Sequence, residues 1–566
     1  MSDKTNRCVT VSAIVAILTF GFAFAAEIVV DPTAGAIKDL RMVSAAPCCG
    51  FHDDGAEYPH SDAQSLFISN RAETAEAFAR AGVKLVRPQY ALVRWQSERA
   101  SRRHFYERYR KQSWGQSALN MDRWWSWVPQ EFVFSFWKEH GIKAILCLQG
   151  EVLDEATGEM TRETEKVKKV VCDYLRWIAD NGYQGVVAGF ELENEPFFGR
   201  DPEGYAKSWA EILPAMKMIW PNAQIGLPLA VYSDGNPDLE CVRQRMLATG
   251  AISAKKVHTA DHVNQWTGNA IVALGEAVSN VSHLVIHVYG ADTYYDANIK
   301  CVERTRLMQR AFPQLAGKKI WITEWRDRAE EDMRSHRKFR TTLWKAHFLL
   351  TMLAQPDVDA TCQLSLIGCS GALYLSRRGR WMDGDRKARD WDFAGRSRLD
   401  VGGCGALYRL FNNALQDCPR ILAHGAPYGF RTMNTFYDSL VKRGHAHNSF
   451  AAEHVDGKAS VKGGVEWLAA MNAKGDKLAI LAVNSSAAEE SVDLRVAGHS
   501  LGRMTRRTLF CPDPALDSFE VPGEPKPWFV EASEMRSDAL RIPLNAIVVA
   551  EISVKEISTN VDNVKK

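Results

Sequence analysis

The chain has 566 residues, 46 % hydrophobic and 24 % charged, a balance that excludes wholesale disorder. Its 70 Lys and Arg nearly cancel 68 Asp and Glu, and a net charge of +2 gives nucleic acid no general attraction. The 17 Trp are a high count and can serve as core or as flat platforms for a ligand.

Lys4 and Arg7 precede an apolar run over 9–26, and Ala23-Phe24-Ala25 has small residues where a signal peptidase cuts. Residues 1–25 therefore read as a secretory signal. The competing reading is an uncleaved anchor, since such a run approaches the length of about 18 residues that spans a bilayer. No later stretch is long and apolar enough to do so. The expected product is secreted or periplasmic, with no stable membrane association after cleavage. Removal of Cys8 with the leader leaves an odd number of the 12 cysteines, so they cannot all pair internally. Cys147 and Cys362 lie in apolar runs and read as small core residues.

From residue 40 to 416 short apolar runs alternate with amphipathic helical stretches. The first strand is expected at 41–46. A helix over 71–81, stopped by Gly82, leads to strand two at 83–87, ended by Pro88. Helix 131–140 leads to strand three at 142–148, and helix 163–181 to strand four at 185–192. Helix 205–219 leads to strand five at 224–229, and helix 263–279 to strand six at 283–289. Helix 298–312 leads to strand seven at 319–323, and helix 334–354 to strand eight at 360–366. A last helix covers 405–414. The strands are too continuously apolar to have one wet face, which suits a parallel sheet covered by helices. Eight repeats predict an α/β fold, a (β/α)8 TIM barrel. No G-x-G-x-x-G or G-x-x-x-x-G-K follows the early strands, which counts against nucleotide binding.

Beyond 417 the texture changes to strands at 465–472, 477–484, 491–496, 504–509 and 541–552, with no long helix between them. Residues 417–566 are therefore expected to form an all-β C-terminal sandwich domain. Residues 26–39, with the extended-favouring Glu27-Ile28-Val29-Val30, are expected to return a strand to it.

Chemistry in such a barrel sits where strands end. Strand four ends in Phe190-Glu191-Leu192-Glu193-Asn194-Glu195-Pro196, and strand seven in Ile320-Trp321-Ile322-Thr323-Glu324-Trp325. Each places a Glu at a carboxyl end, and strands four and seven face one another across the mouth. Two opposed carboxyl groups are what glycoside hydrolysis requires.

Asn-Glu-Pro after strand four, with Thr-Glu-Trp after strand seven, resembles glycoside hydrolase clan A. With the C-terminal sandwich the resemblance extends to families 39, 51, 30 and 79, without selecting one. It implies a retaining O-glycosyl hydrolase acting on an oligo- or polysaccharide, with Glu195 as acid/base, Glu324 as nucleophile and no cofactor or metal. It further implies Asn194 on the sugar 2-hydroxyl, Arg87 beside the nucleophile and Tyr289 donating to it. Arg87 is expected to lower the pKa of Glu324. His287 shares the face of Tyr289 by the strand period of two. Trp325 is expected to stack on sugar.

Trp95 and Trp114 in the second loop, and Trp381 and Trp391 in the eighth, are further platform candidates, whereas Trp177 and Trp209 read as helix core. Arg326, Arg328, Arg377, Arg378 and Arg380 would suit a uronic or sulfated sugar, but interleaved Asp residues favour an ordinary solvated loop. His258 and His262 share a spacing used by zinc sites but lack a third ligand. Two other functions use the same residues or fold: a transglycosidase, and a catalytically silent carbohydrate-binding protein.

Overall fold

The computed structural model describes residues 26–40, 71–88, 91–92, 95–96, 130–231, 266–289, 295–326, 339–363, 373–377, 380–381, 397–425, 465–484, 488–513, 528–535 and 539–557. The described chain opens with β1 (Ala26–Val30) and β2 (Lys38–Asp39). β3 (Leu85–Val86) and β4 (Lys143–Leu148) follow, then a short hairpin of β5 (Val152–Asp154) and β6 (Glu159–Thr161). Beyond it come β7 (Val187–Leu192), β8 (Ile225–Pro228), β9 (His283–Tyr289), β10 (Lys319–Arg326) and β11 (Val358–Gln363). Apart from the hairpin, these strands form one parallel sheet in the order β11-β10-β9-β8-β7-β4-β3. They are strands two to eight of the (β/α)8 barrel, and the expected first strand lies outside the described residues.

The helices between them bury one stripe each. In Thr164–Asp180 the buried positions Val167, Val170, Val171, Tyr174, Leu175 and Ile178 repeat at helical spacing. Helix Pro202–Ile219 starts at Asp201, whose carboxylate accepts from the Gly204 amide at 2.6 Å, with Pro202 in the first turn. Among the described residues no helix is long and apolar enough to cross a membrane.

The barrel interior is a packed core of Leu85, Ile145, Val285, Trp321, Ala360 and Cys362. Trp321 is fully buried and stacks on the His283 ring, centroids 4.0 Å apart. Glycines make room for it. A Cβ on Gly226 would lie 2.6 Å from Val285 and 2.8 Å from Trp321, and one on Gly189 would run into the same indole. The seven described cysteines, Cys147 and Cys362 among them, are buried thiols.

After β11 the eighth loop carries a small antiparallel sheet of β12 (Leu373–Arg377), β13 (Arg380–Trp381) and β14 (Ser397–Val401). Helix Gly403–Asp417 then hands the chain to the sandwich. Its strands are β15 (Arg420–Gly425), β16 (Val465–Met471), β17 (Lys477–Asn484), β18 (Glu490–Val496), β19 (His499–Phe510), β20 (Phe529–Met535), β21 (Ala539–Ile542) and β22 (Ala546–Glu556). A seven-stranded sheet, β2-β15-β16-β17-β22-β19-β20, packs on a three-stranded sheet, β1-β18-β21. Ile28, Val30, Ile480, Leu494, Leu540 and Ile552 are among the residues that fill the space between them. β1 joins parallel to β18, so the segment before the barrel is built into the domain after it.

The single strand expected at 541–552 is two. Asn545 takes a left-handed φ of 52°, and the turn it forms sends β21 and β22 to opposite sheets. The barrel and the sandwich share a buried polar contact as well as apolar core. Glu466 on β16 accepts from Thr351 at 3.0 Å and meets His347 at 2.5 Å, both on helix Phe339–Leu353, while His424 on β15 meets it at 2.8 Å.

Candidate active site

The carboxyl ends of β3, β7, β9 and β10 bring five charged side chains together. Arg87, directly after β3 and fully buried, is the hub. Its Nε donates to Glu191 Oε2 at 2.9 Å and one terminal nitrogen donates to Glu191 Oε1 at 2.5 Å. The same nitrogen donates to Asn194 Oδ1 at 2.7 Å, and the other donates to Glu324 Oε2 at 3.2 Å. His287 lies opposite. Its Nδ1 is 2.8 Å from Glu195 Oε1 and 3.8 Å from Glu324 Oε2, and its Nε2 is 3.8 Å from Glu191 Oε1. Two cations thus hold three carboxylates, and both glutamates at the strand ends reach one imidazole nitrogen.

The burial is graded. Glu191 is completely enclosed, the Glu324 side chain is 6 % exposed and that of Glu195 is 19 % exposed. Glu195 is thus the member of the cluster most open to a ligand entering the mouth.

Burial shapes the titration of each group. For Glu191 burial favours the neutral acid, but Arg87 and His287 overcome it and hold the carboxyl at about 2. For His287 burial favours the neutral ring, yet Glu324, Glu191 and Glu195 raise it to about 9. Glu324 differs from the sequence expectation. Arg87 does lower its pKa, as does His287, but burial is the larger effect and, with Glu195 and Glu191 nearby, raises it overall.

The local backbone explains how these side chains face inward. In β10, Trp321 points into the barrel core, so strict alternation would carry Trp325 inward and Glu324 outward. The register against β9 is irregular between Ile322 and Glu324. That slip turns Glu324 inward and Trp325 outward. Trp325 is fully buried, 4.3 Å from the Phe348 ring on helix Phe339–Leu353. It packs the barrel against its helices and presents no face to a sugar, which corrects its expected stacking role. Trp95 is likewise buried, against Tyr174 at 5.4 Å. In β9 the alternation holds, with His283, Val285 and His287 on the inward face. The Tyr289 backbone pairs with Arg326 at the end of the same strand. Trp114, Trp391, His258, His262, Arg328 and Arg378 lie outside the described residues.

After β7 the chain turns sharply. Glu193 and Glu195 adopt left-handed φ angles of 69° and 45°. Such conformations cost a non-glycine residue of order 1–3 kcal/mol each and persist where surrounding contacts fix them. Two members of the site escaped the sequence reading. Glu191 looked like a strand residue, although a carboxylate on the inward face of an apolar strand is itself a signal. Trp209 was assigned to helix core and is buried there, but its Nε1 also donates to Glu193 Oε1 at 2.8 Å.

The shifted histidine gives a testable pH dependence. A group whose pKa rises on folding stabilises most below its unfolded value, and that contribution is lost as pH rises through the folded value. For His287 the window runs from the ordinary 6.5 to about 9. Thermal melts of the wild type are expected to fall in Tm across that window. In His287→Gln the fall should be visibly shallower, whatever the starting Tm. Parallel slopes in the two proteins would show that His287 does not carry this charge.

No protein-family model matches the chain, and no curated protein matches it. Solved structures do. A GH51 alpha-L-arabinofuranosidase from Thermotoga petrophila RKU-1 aligns over 93 % of this chain and 99 % of its own, with TM-score 0.56 and 14 % identity. An alpha-L-arabinofuranosidase from Thermotoga maritima, in complex with arabinose, aligns over 93 % and 99 % with TM-score 0.53 and 15 % identity. A family 51 alpha-L-arabinofuranosidase from Bifidobacterium longum aligns over 92 % and 99 % with TM-score 0.52 and 12 % identity. The chain therefore shares the barrel-plus-sandwich fold of glycoside hydrolases, and family 51 is one of the four families its motifs resemble.

Proposed function

We propose that the protein is an exported retaining glycoside hydrolase that cleaves a poly- or oligosaccharide by double displacement, with Glu324 as nucleophile and Glu195 as acid/base. The observation that carries this reading is the convergence of both carboxylates on His287 Nδ1, at 2.8 and 3.8 Å. Their nearest oxygens are no farther apart than the sum of those distances. That bound accommodates the separation of about 5–5.5 Å used by retaining enzymes, which leaves no room for a water between acid and base.

The geometry suits each role. Glu324 must attack as an anion, and Arg87 and His287 supply the positive charge that stabilises one in a buried site. Glu195 must deliver a proton to the departing oxygen. Its carboxyl lies 2.8 Å from His287 Nδ1, close enough for a proton to pass between the two groups. In the second half-reaction water attacks the anomeric carbon, Glu195 accepts its proton and the bond to Glu324 breaks, returning that carboxylate. Asn194, whose Oδ1 accepts from Arg87, directly precedes the acid/base in the chain and is assigned to the sugar 2-hydroxyl. No cofactor is required, because two carboxyl groups perform both halves of the reaction. The leader at 1–25 assigns this chemistry to a secreted or periplasmic setting.

A panel of 4-nitrophenyl glycosides tests the proposal, with α-L-arabinofuranosides first and uronides included for the arginine-rich loops. Proton NMR of the first-formed sugar should show retained anomeric configuration on every substrate that turns over. An inverted product overturns the mechanism. Binding of glycans without any turnover would point instead to a silent carbohydrate-binding protein, and dominant transfer to added sugar acceptors to a transglycosidase.

A further inference from the structure

We infer that Glu193 and Arg200 form a buried clamp that positions the acid/base Glu195, an inference that rests on the reading of Glu195 just given. Neither residue belongs to the charge cluster. Their side chains pair with each other, at 11 % and 9 % exposure, and join the two ends of the turn that presents Glu195.

The chain leaves the barrel at Glu193 and is recaptured at Arg200. At the departure point the Glu193 amide donates to Leu148 O at 2.9 Å, and Tyr205 Oη donates to Leu192 O at 3.1 Å. At the return the Arg200 amide donates to Pro196 O at 2.8 Å, and Trp266 Nε1 donates to Arg200 O at 2.7 Å. The Glu193–Arg200 ion pair ties these two points together, and Trp209 Nε1 fixes the Glu193 carboxylate at 2.8 Å. Room for the pair comes from Gly150 in the neighbouring loop, because a Cβ there would run into both the Arg200 guanidinium and the Glu193 carboxylate.

What the clamp encloses is the turn 194–199, in which Asn194 stands between the left-handed Glu193 and Glu195. That conformation aims Glu195 back over the barrel mouth toward His287. An unfavourable backbone geometry holds only when its surroundings over-determine it. Here the closing contact is a charged pair shielded from water, which is stronger and more directional than an exposed one.

The test separates positioning from mere stability. A 2,4-dinitrophenyl leaving group departs with little protonation, whereas phenol needs the acid. The two aryl glycosides, made with the sugar that the panel identifies, are assayed with wild type, Glu193→Gln, Gly150→Ala and Glu195→Gln. The ratio of kcat/KM on the two substrates is read within each protein, so a partly unfolded sample cancels out. Glu195→Gln should lose activity on the phenyl glycoside far more than on the dinitrophenyl one. Glu193→Gln and Gly150→Ala should shift the ratio the same way, by at least about 10-fold, because acid catalysis is worth about 10²- to 10⁴-fold and depends on placement. If Glu195→Gln shifts the ratio and the other two leave it unchanged, the clamp is structural only and the inference fails. If Glu195→Gln itself leaves the ratio unchanged, Glu195 is not the acid and both readings fall.

Discussion

Glu324→Gln is expected to reduce turnover of the best aryl glycoside by on the order of 10⁴-fold or more, equivalent to about 5.5 kcal/mol of transition-state stabilisation. The substitution keeps the shape of the side chain and an oxygen that can accept from Arg87 at the position it now occupies. It removes the proposed nucleophile and one negative charge from a site where three carboxylates share two cations. The fold should therefore survive, with a Tm no lower than that of the wild type. Ligand affinity should survive as well. Glu324→Ala supplies a sharper chemical readout. The space it opens admits azide, which should attack from the same side as the missing carboxylate and yield a glycosyl azide of inverted configuration. Wild type and Glu324→Gln hydrolysing at the same slow rate would end the enzymatic interpretation.

Arg87→Met should cost both stability and activity. Arg87 is fully buried and donates to Glu191, Glu324 and Asn194 at once. Removing one partner of a buried ion pair typically costs about 3–5 kcal/mol, because the other charge is left in a poor solvent. Glu191 has the most to lose. Its carboxyl is held at about 2 chiefly against the pull of burial, and without Arg87 the nearest described cation is His287 at 3.8 Å. Arg87→Lys should rescue little, since an ammonium cannot reproduce the two-pronged contact with Glu191. Urea melts give the stability loss directly. The double variant Arg87→Met, Glu191→Gln should recover a large part of it, because the stranded charge is gone. A loss below about 1 kcal/mol in Arg87→Met would mean that the cluster is wetter than its geometry implies.

The framework of the candidate site was legible because it depends on local pattern. Strand ends were marked by Pro88, Pro196 and the change from apolar runs to polar loops, and the candidate residues stood at those ends. Glu195, Glu324, Arg87, His287 and Asn194, each flagged by position along the chain, meet in one contact network. Glu191 stood in the same quoted motif and was passed over, because its partner Arg87 is 104 positions away. Trp325 was misread for a different reason. It was placed at the mouth because it directly follows Glu324, whereas the slip in register after Ile322 turns it toward the helices. Glu193 gave no sign of its contacts either, since both Trp209 and Arg200 reach it only after helix Pro202–Ile219 has folded back on β7.

The sequence by itself determined the alternation of strands and helices, the switch to a β-rich domain and the two carboxylates placed to face each other. Those follow from periodicity and from chain order, which act over a few residues or count repeats. Only the tertiary structure decided the electrostatics. It showed that burial outweighs Arg87 at Glu324, that three carboxylates surround His287 and raise its pKa, and that Trp325 belongs to the core. Desolvation and charge pairing depend on which distant segments enclose a group, and that is settled by the packing of the barrel strands and helices.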